Sequence, residues 1–120
     1  MLVFSINLVS AQQPQQFRRV YLKVTVIKND KVLSTESQNT IIFNYENETV
    51  IKIYMADGSV RYFDQIAERE EGSTFGGMTY NGAMYKDRTY NTTVFVQLFE
   101  DRQYGVRLVF ENGSMIQLFE

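Results

Sequence analysis

Two short stretches, MADGSVRYF (residues 55–63) and FENGSMIQLF (residues 110–119), place an Asp-Gly or Asn-Gly step between apolar runs. These steps tolerate the positive φ angles that two-residue hairpin turns require. Each stretch is therefore predicted to be a tight β-hairpin, with its turn at Asp57-Gly58 or at Asn112-Gly113. Hairpins of this kind indicate an antiparallel sheet.

Strand-like runs alternate with short polar breaks from Phe17 onward. The first run, FRRVYLKVTVIK (17–28), has the two-residue period of a strand, and the connections are too short for crossover helices. We predict an all-β, single-domain antiparallel up-and-down meander of about eight strands, closed or nearly closed into a small barrel. A two-sheet β-sandwich is the alternative, and closure into a barrel alone removes the sheet edges. The charged segment 67–73 is predicted to be a helical turn or a solvated loop.

The composition limits the chemistry of the chain. Its 120 residues suffice for one domain, and it has a net charge of −2, no Cys and no His. Disulfides, the usual zinc sites and nucleophilic catalysis assisted by histidine are therefore excluded. The absence of a basic cluster argues against nucleic-acid binding. We expect no cofactor, no metal site and no membrane span, since no run approaches the about 20 apolar residues that a span needs.

The N-terminus carries a short apolar stretch, Leu2 to Val9, followed by Ser10-Ala11 and a Gln-rich segment. This order is typical of the hydrophobic region and cleavage site of a signal peptide, here with the cut before Gln12. We predict that residues 1–16 are a signal-peptide remnant and a flexible lead-in, and that residues 17–120 form the β domain. The protein is then secreted or periplasmic. An N-terminal β-strand is the alternative.

Two-residue turns fix which residues share a face of each hairpin. In the first hairpin, Tyr62 joins Ile53 on an apolar face, whereas Arg61 and Phe63 fall on an amphipathic, solvated face. The first hairpin is therefore predicted to have one core face and one wet face.

The C-terminal hairpin and the strand before it are predicted to be apolar on both faces. One face carries Phe95, Gln97, Phe99, Leu108, Gln117 and Phe119. The other face carries Val94, Val96, Leu98, Val109, Ile116 and Leu118. An antiparallel sheet with one wet face should alternate apolar and polar residues. The second face must therefore meet another layer, a partner chain or a lipid-like ligand.

Two binding hypotheses follow from this second face. In the favoured one, the protein is a non-catalytic interaction module, and the six residues of the second face contact a protein partner or a second copy. In the alternative, the protein carries a small apolar ligand in the barrel interior, where Tyr62, Gln97 and Gln117 supply polar contacts. A polar side chain in an apolar strand must be hydrogen-bonded. The predicted barrel resembles lipocalin-like barrels, although the chain lacks Trp and therefore the Gly-x-Trp signature of that family.

The densest acidic cluster comprises Glu68, Glu70 and Glu71, with Asp64 nearby. Paired carboxylates can serve acid–base catalysis or bind calcium. The spacing does not match a calcium loop, and the segment has the composition of a solvated surface. We therefore predict that the protein is not an enzyme and that this cluster is a wet loop.

Overall fold

The computed structural model describes residues 15–47, 49–74 and 76–120. These residues form nine β-strands and no helix. The strands are β1 (Phe17–Lys28), β2 (Lys31–Phe43), β3 (Val50–Tyr54), β4 (Val60–Gln65), β5 (Glu70–Ser73), β6 (Thr79–Asp87), β7 (Thr93–Phe99), β8 (Val106–Phe110) and β9 (Met115–Phe119). The predicted signal-peptide remnant and cleavage site lie outside the described residues.

The strands run antiparallel around a closed barrel. β1 pairs with both β2 and β9. From β2 to β4 and from β6 to β9, each strand pairs with the strand that follows it in the chain. Pairing of Phe63–Gln65 with Tyr85–Asp87 closes an eight-stranded barrel, and β5 adds one extra strand to β6. The predicted all-β meander and its closure are confirmed.

The barrel interior is an apolar core. Successive side chains of a strand point to opposite sides, so each strand contributes alternate residues to the interior. Among the most deeply buried side chains are Tyr21, Ile41, Ile51, Ile53, Phe63, Leu108 and Leu118. Opposed pairs such as Ile41 with Ile53 and Val106 with Leu118 carry this core from strand to strand around the wall.

Both hairpins that indicated the fold have three-residue connections instead of two-residue turns. The Met55 N–H donates to the Ser59 carbonyl at 2.9 Å, and the Phe110 N–H donates to the Ser114 carbonyl at 2.9 Å. Each connection thus holds one residue more than predicted.

The Asp-Gly-Ser and Asn-Gly-Ser sequences stabilise this longer loop. The glycines have φ angles of 90° and 89°, in the left-handed region that glycine adopts most readily. The Asp57 carboxylate accepts a hydrogen bond from the Ser59 N–H at 2.8 Å, and the Asn112 side chain accepts one from the Ser114 N–H at 2.9 Å. The serine therefore follows the three loop residues directly and stabilises the loop through its N–H.

The additional loop residue exchanges the faces of one strand in each hairpin. Tyr62 lies opposite Lys52, and Met115 lies opposite Val109. Because side chains alternate along a strand, a shift of one residue moves a whole set of side chains to the other face. The predicted faces of β4 and β9 are therefore wrong relative to β3 and β8.

The long strand β2 includes all of residues 32–37 and most of residues 40–45. One segment differs from the strand prediction. Glu70–Ser73, from the charged segment, pair with β6 instead of forming a helical turn or loop. Gly72 permits this pairing, since a Cβ there would lie 2.6 Å from the Tyr80 hydroxyl oxygen.

Candidate binding site at the barrel mouth

The three residues predicted to contact a ligand inside the barrel all face outward. Gln97 and Gln117 flank Arg107 on neighbouring strands, whereas Tyr62 lies on a separate part of the wall. Arg107 donates to Gln117 Oε1 at 3.3 and 3.4 Å, and Gln117 Nε2 donates to the Tyr104 carbonyl at 2.6 Å. The predicted interior position of these residues is wrong, and the protein itself satisfies Gln117.

Tyr62 belongs to a group of aromatic rings around Lys52. The Lys52 ammonium lies 5.4 Å from the ring centre of Tyr62, 4.4 Å from that of Tyr45 and 4.6 Å from that of Tyr54. It also donates a hydrogen bond to the Tyr45 hydroxyl at 3.2 Å. These contacts hold the cation on the outer wall by cation–π attraction.

Five of the six residues predicted to form a partner interface lie inside the barrel. These five are Val94, Val96, Leu98, Ile116 and Leu118. Only Val109 faces outward, because β8 keeps its predicted faces relative to the core while β7 and β9 have exchanged theirs. The prediction that these side chains form an outward patch is wrong for the five.

A different apolar row occupies the outer face of these strands. Directly opposed residues run from Met84 through Phe95, Val109 and Met115 to Ile27. All five side chains are half-buried. The sheet is therefore apolar on both faces, as predicted, but with other residues on its outer face.

An open cavity of about 530 Å³ lies at the end of the barrel where β8 turns into β9. We call it the mouth cavity. Apolar residues of its wall include Val26, Tyr90, Phe110 and Ile116, and its charged residues are Lys28, Arg61 and Glu111. A cavity lined by residues of β1, β2, β3, β6 and β7 measures about 70 Å³. Two surface depressions, the larger one beside Gln117, measure about 300 and 350 Å³. The mouth cavity falls within the size range of small-molecule sites, which is roughly 300–1,000 Å³.

Arg61 reaches the mouth cavity from the inner face of β4. Its guanidinium forms an ion pair with Asp87, whose side chain is fully buried. The other carboxylate oxygen of Asp87 accepts a hydrogen bond from the Thr89 N–H at 2.8 Å. The Arg61 side chain remains 17% exposed. The pair thus neutralises most of the charge while leaving part of the guanidinium accessible from the cavity.

Three aromatic rings hold the Arg61 guanidinium in position. Its central carbon lies 5.3 Å from the ring centre of Phe110 and 5.4 Å from those of Phe63 and Tyr90. Among the described residues, the buried Nε of Arg61 has no hydrogen-bond partner. Leaving such a donor unsatisfied costs about 1–3 kcal/mol or more. Because Nε is itself buried, a ligand in the mouth cavity would meet the exposed part of the Arg61 side chain and not this atom.

Sequence reasoning missed Arg61 because a two-residue turn places it on a solvated face. The three-residue loop places it opposite Ile53 and on the same face as Phe63. The serine that follows Asp57-Gly58 is the local signal for this loop. The partner Asp87 is remote in sequence, and only barrel closure brings the two together.

The acidic cluster stays on the surface. Glu68, Glu70 and Glu71 are exposed. Asp64 accepts two hydrogen bonds from Arg88, both at 2.8 Å, and these hold the pKa of the Asp64 carboxyl below its ordinary value. Within the described ranges, no three acidic, histidine or cysteine side chains are placed to hold a metal ion. No helix in that part of the chain is long and apolar enough to cross a membrane.

Comparison of the chain with protein-family models, with curated proteins and with solved structures finds no match. A fold alone does not define a function. The mouth cavity and the residues around it are therefore the features from which a function is inferred.

Proposed function

We propose that the protein is a non-catalytic binding module whose binding site is the mouth cavity. The observation that carries this proposal is an open, largely apolar space of about 530 Å³ with one positioned guanidinium beside it. Ligand sites of small barrels commonly lie in the mouth and combine apolar walls with a few polar groups.

The lining indicates the chemistry of the ligand. Val26, Phe110 and Ile116 favour an apolar group, whereas Arg61 favours a hydrogen-bond acceptor such as a carbonyl or a carboxylate. Hydrogen bonds to charged groups contribute about 1.5–3 kcal/mol, roughly twice the value for neutral pairs. An unpaired Asp87 would attract a cationic ligand, but its ion pair with Arg61 neutralises the carboxylate. The guanidinium, which is the partly exposed member of the pair, makes a cationic ligand unfavourable at this point.

Decanoate and decyltrimethylammonium test the site, because they share an apolar chain but differ in the head group. Titrations followed by two-dimensional NMR should show decanoate binding at least about tenfold more tightly, which corresponds to about 1.4 kcal/mol. The largest shifts are expected at Val26, Phe110 and Ile116. Equal affinity for the two probes, or shifts confined to the outer wall, would contradict the proposal.

Matched variants on β1 locate the binding site. Val26→Phe fills the mouth cavity, whereas Ile27→Phe adds the same side chain to the outer face. Thr92→Phe fills the cavity from the β6–β7 connection and guards against a folding defect peculiar to β1. We expect both filling variants to weaken decanoate binding by about tenfold or more and Ile27→Phe to leave it unchanged.

We also propose that the protein is located outside the cytoplasm and has no catalytic activity. The apolar stretch from Leu2 to Val9 and the absence of Cys and His support them. N-terminal sequencing of the protein isolated from an exporting host should begin at Gln12. A chain recovered only with its full N-terminus and only from the cytoplasm would contradict the location.

A further inference from the structure

In the described part of the chain, the first half of β2 has a strand neighbour on one side only. β2 pairs with β1 over nearly its whole length, but with β3 only from Thr40 to Phe43. Among the residues that the structure describes, no strand pairs with the other edge of β2 from Lys31 to Gln38. We call residues 31–38 the open edge. A row of unpaired backbone groups of this kind is a template for another strand.

The turn between β1 and β2 determines which backbone groups point to the open edge. Asn29 and Asp30 have φ angles of 53° and 63°, as in a two-residue type I′ turn. The two lysines that flank this turn then form a hydrogen-bonded pair, and such pairs alternate along the ladder. The N–H and C=O groups of Val32, Ser34 and Glu36 therefore point away from β1.

Apolar side chains remain exposed beside the open edge and the mouth cavity. Val32 is 66% exposed, Leu33 is 64% exposed, and Tyr90 on the cavity wall is 68% exposed. Leu33 lies opposite Val26, which itself lines the mouth cavity. The inner face of the open edge thus continues the cavity wall.

We propose that the ligand of the mouth cavity is an extended polypeptide segment that adds antiparallel to the open edge and inserts one apolar side chain into the cavity. The inference rests on the proposed function and names the class of its ligand. An edge beside a pocket is the arrangement in which main-chain hydrogen bonds give affinity and alternate side chains give specificity. The inserted side chain belongs to the residue opposite Leu33, since Leu33 faces the cavity side.

The charges on the open edge favour a foreign peptide over a second copy of this chain. In a two-fold antiparallel pairing centred on Leu33, Asp30 would face the partner's Glu36. In a pairing centred on Ser34, Val32 would lie opposite the partner's Glu36, so the carboxylate would face an apolar side chain and not a cation. Like charges directly opposite destabilise a sheet, whereas a peptide with lysine or arginine opposite Glu36 complements it.

The probe for this proposal is the capped peptide Ser-Lys-Thr-Val-Phe-Val-Glu. In antiparallel register it pairs with residues 37 to 31, with its Phe opposite Leu33 and its Lys opposite Glu36. Amide hydrogen exchange is the readout. We expect the amides of Val32, Ser34 and Glu36 to exchange rapidly in the free protein and to slow by about tenfold or more when the peptide is bound.

Backbone methylation of the peptide distinguishes strand addition from burial of the Phe side chain alone. The N–H of the first Val points toward β2, because this residue pairs with Ser34. The N–H of the Thr points away. N-methylation at that Val should weaken binding by about tenfold or more, and N-methylation at the Thr should change it less than about threefold. Equal effects at both positions would refute strand addition.

Substitutions at Ser34 give the reciprocal test on the protein. Ser34→Pro removes an N–H that points to the open edge and leaves the β1–β2 ladder intact. Ser34→Ala is the control, because it removes only the hydroxyl that bonds Thr25 at 2.8 Å. Ser34→Pro should abolish peptide binding while decanoate still binds, and Ser34→Ala should retain both.

The outcomes separate this inference from the proposed function. Decanoate binding without peptide protection of the three amides at about 1 mM peptide refutes the peptide inference alone. Loss of both bindings in Val26→Phe supports the shared site. Failure of decanoate and peptide alike refutes the proposed function. Protection of these amides in the free protein would show that the chain itself occupies the edge. Protection that increases with protein concentration would show that a second copy occupies it. Either result refutes the inference.

Discussion

The ion pair between Arg61 and Asp87 gives the sharpest prediction on stability. Asp87→Asn keeps the shape of the side chain and an acceptor for the Thr89 N–H, but removes the charge that balances Arg61. The Asp87 side chain is fully buried and that of Arg61 is only 17% exposed. Removing one partner of a buried pair costs about 3–5 kcal/mol. The remaining exposure of Arg61 and the isosteric replacement lower this cost by about 1 kcal/mol, so the expected loss of stability is about 2–4 kcal/mol.

The matched control is Asp64→Asn at the exposed pair with Arg88. The Asp64 side chain is 40% exposed and that of Arg88 is 39% exposed. Exposed ion pairs contribute only about 0–1 kcal/mol to the free energy of unfolding. Urea unfolding followed by far-ultraviolet circular dichroism and tyrosine fluorescence suits a chain without Trp. For a domain of this size, a loss of 1 kcal/mol lowers Tm by about 4–8 °C. The expected losses differ by about 1–4 kcal/mol, so the Tm of Asp87→Asn should be lower than that of Asp64→Asn by at least about 4 °C.

A double variant separates the pair from the packing around it. Arg61→Met with Asp87→Leu removes both charges, and replacing a whole buried pair by apolar residues is often close to neutral. We expect it to be more stable than Asp87→Asn. Equal losses for Asp87→Asn and Asp64→Asn would refute the reasoning, because burial would then not determine the cost.

Two further predictions concern a glycine and a pH dependence. Gly105→Ala should destabilise the protein by about 3 kcal/mol or more, because the added Cβ would lie 1.9 Å from the Leu118 carbonyl oxygen. In Gly58→Ala the added Cβ meets no atom within 4 Å, so this variant should lose only the about 1–2 kcal/mol that a left-handed backbone conformation costs alanine. Chemical denaturation of both variants checks this, and equal losses would show that β9 yields without cost. The hydrogen bonds from Arg88 lower the pKa of Asp64; their stabilisation is therefore present above the ordinary Asp pKa of about 3.9 and is lost as the pH falls through the lowered folded-state value. Unfolding curves of the wild type and Asp64→Asn should converge over this acidic range, and a constant difference between them would contradict the assignment.

The strand periodicity and the turn residues were sufficient to predict the class of fold. Alternation in residues 17–28 and the Asp-Gly and Asn-Gly steps are local properties of the backbone, so an antiparallel meander could be recognised without tertiary information. The absence of Cys and His likewise excluded whole classes of chemistry.

The faces of the strands depended on a single residue in each loop. Two-residue turns predict that Tyr62 and Gln117 point inward, whereas the three-residue loops that precede Ser59 and Ser114 turn them outward. A side-chain period of two makes every face assignment sensitive to such a shift. Both loop lengths are compatible with the same Asx-Gly step, so the tertiary structure decided between them.

The candidate site required contacts between distant parts of the chain. Arg61 meets Asp87 because β4 pairs with β6, and the mouth cavity forms because β1, β8, β9 and the β6–β7 connection converge at one end of the barrel. The residue pattern within a single strand does not determine these contacts. The sequence by itself determined the class of fold and the absence of thiol and imidazole side chains. Closure of the barrel decided which side chains share a cavity, because that depends on long-range pairing and on packing of the core.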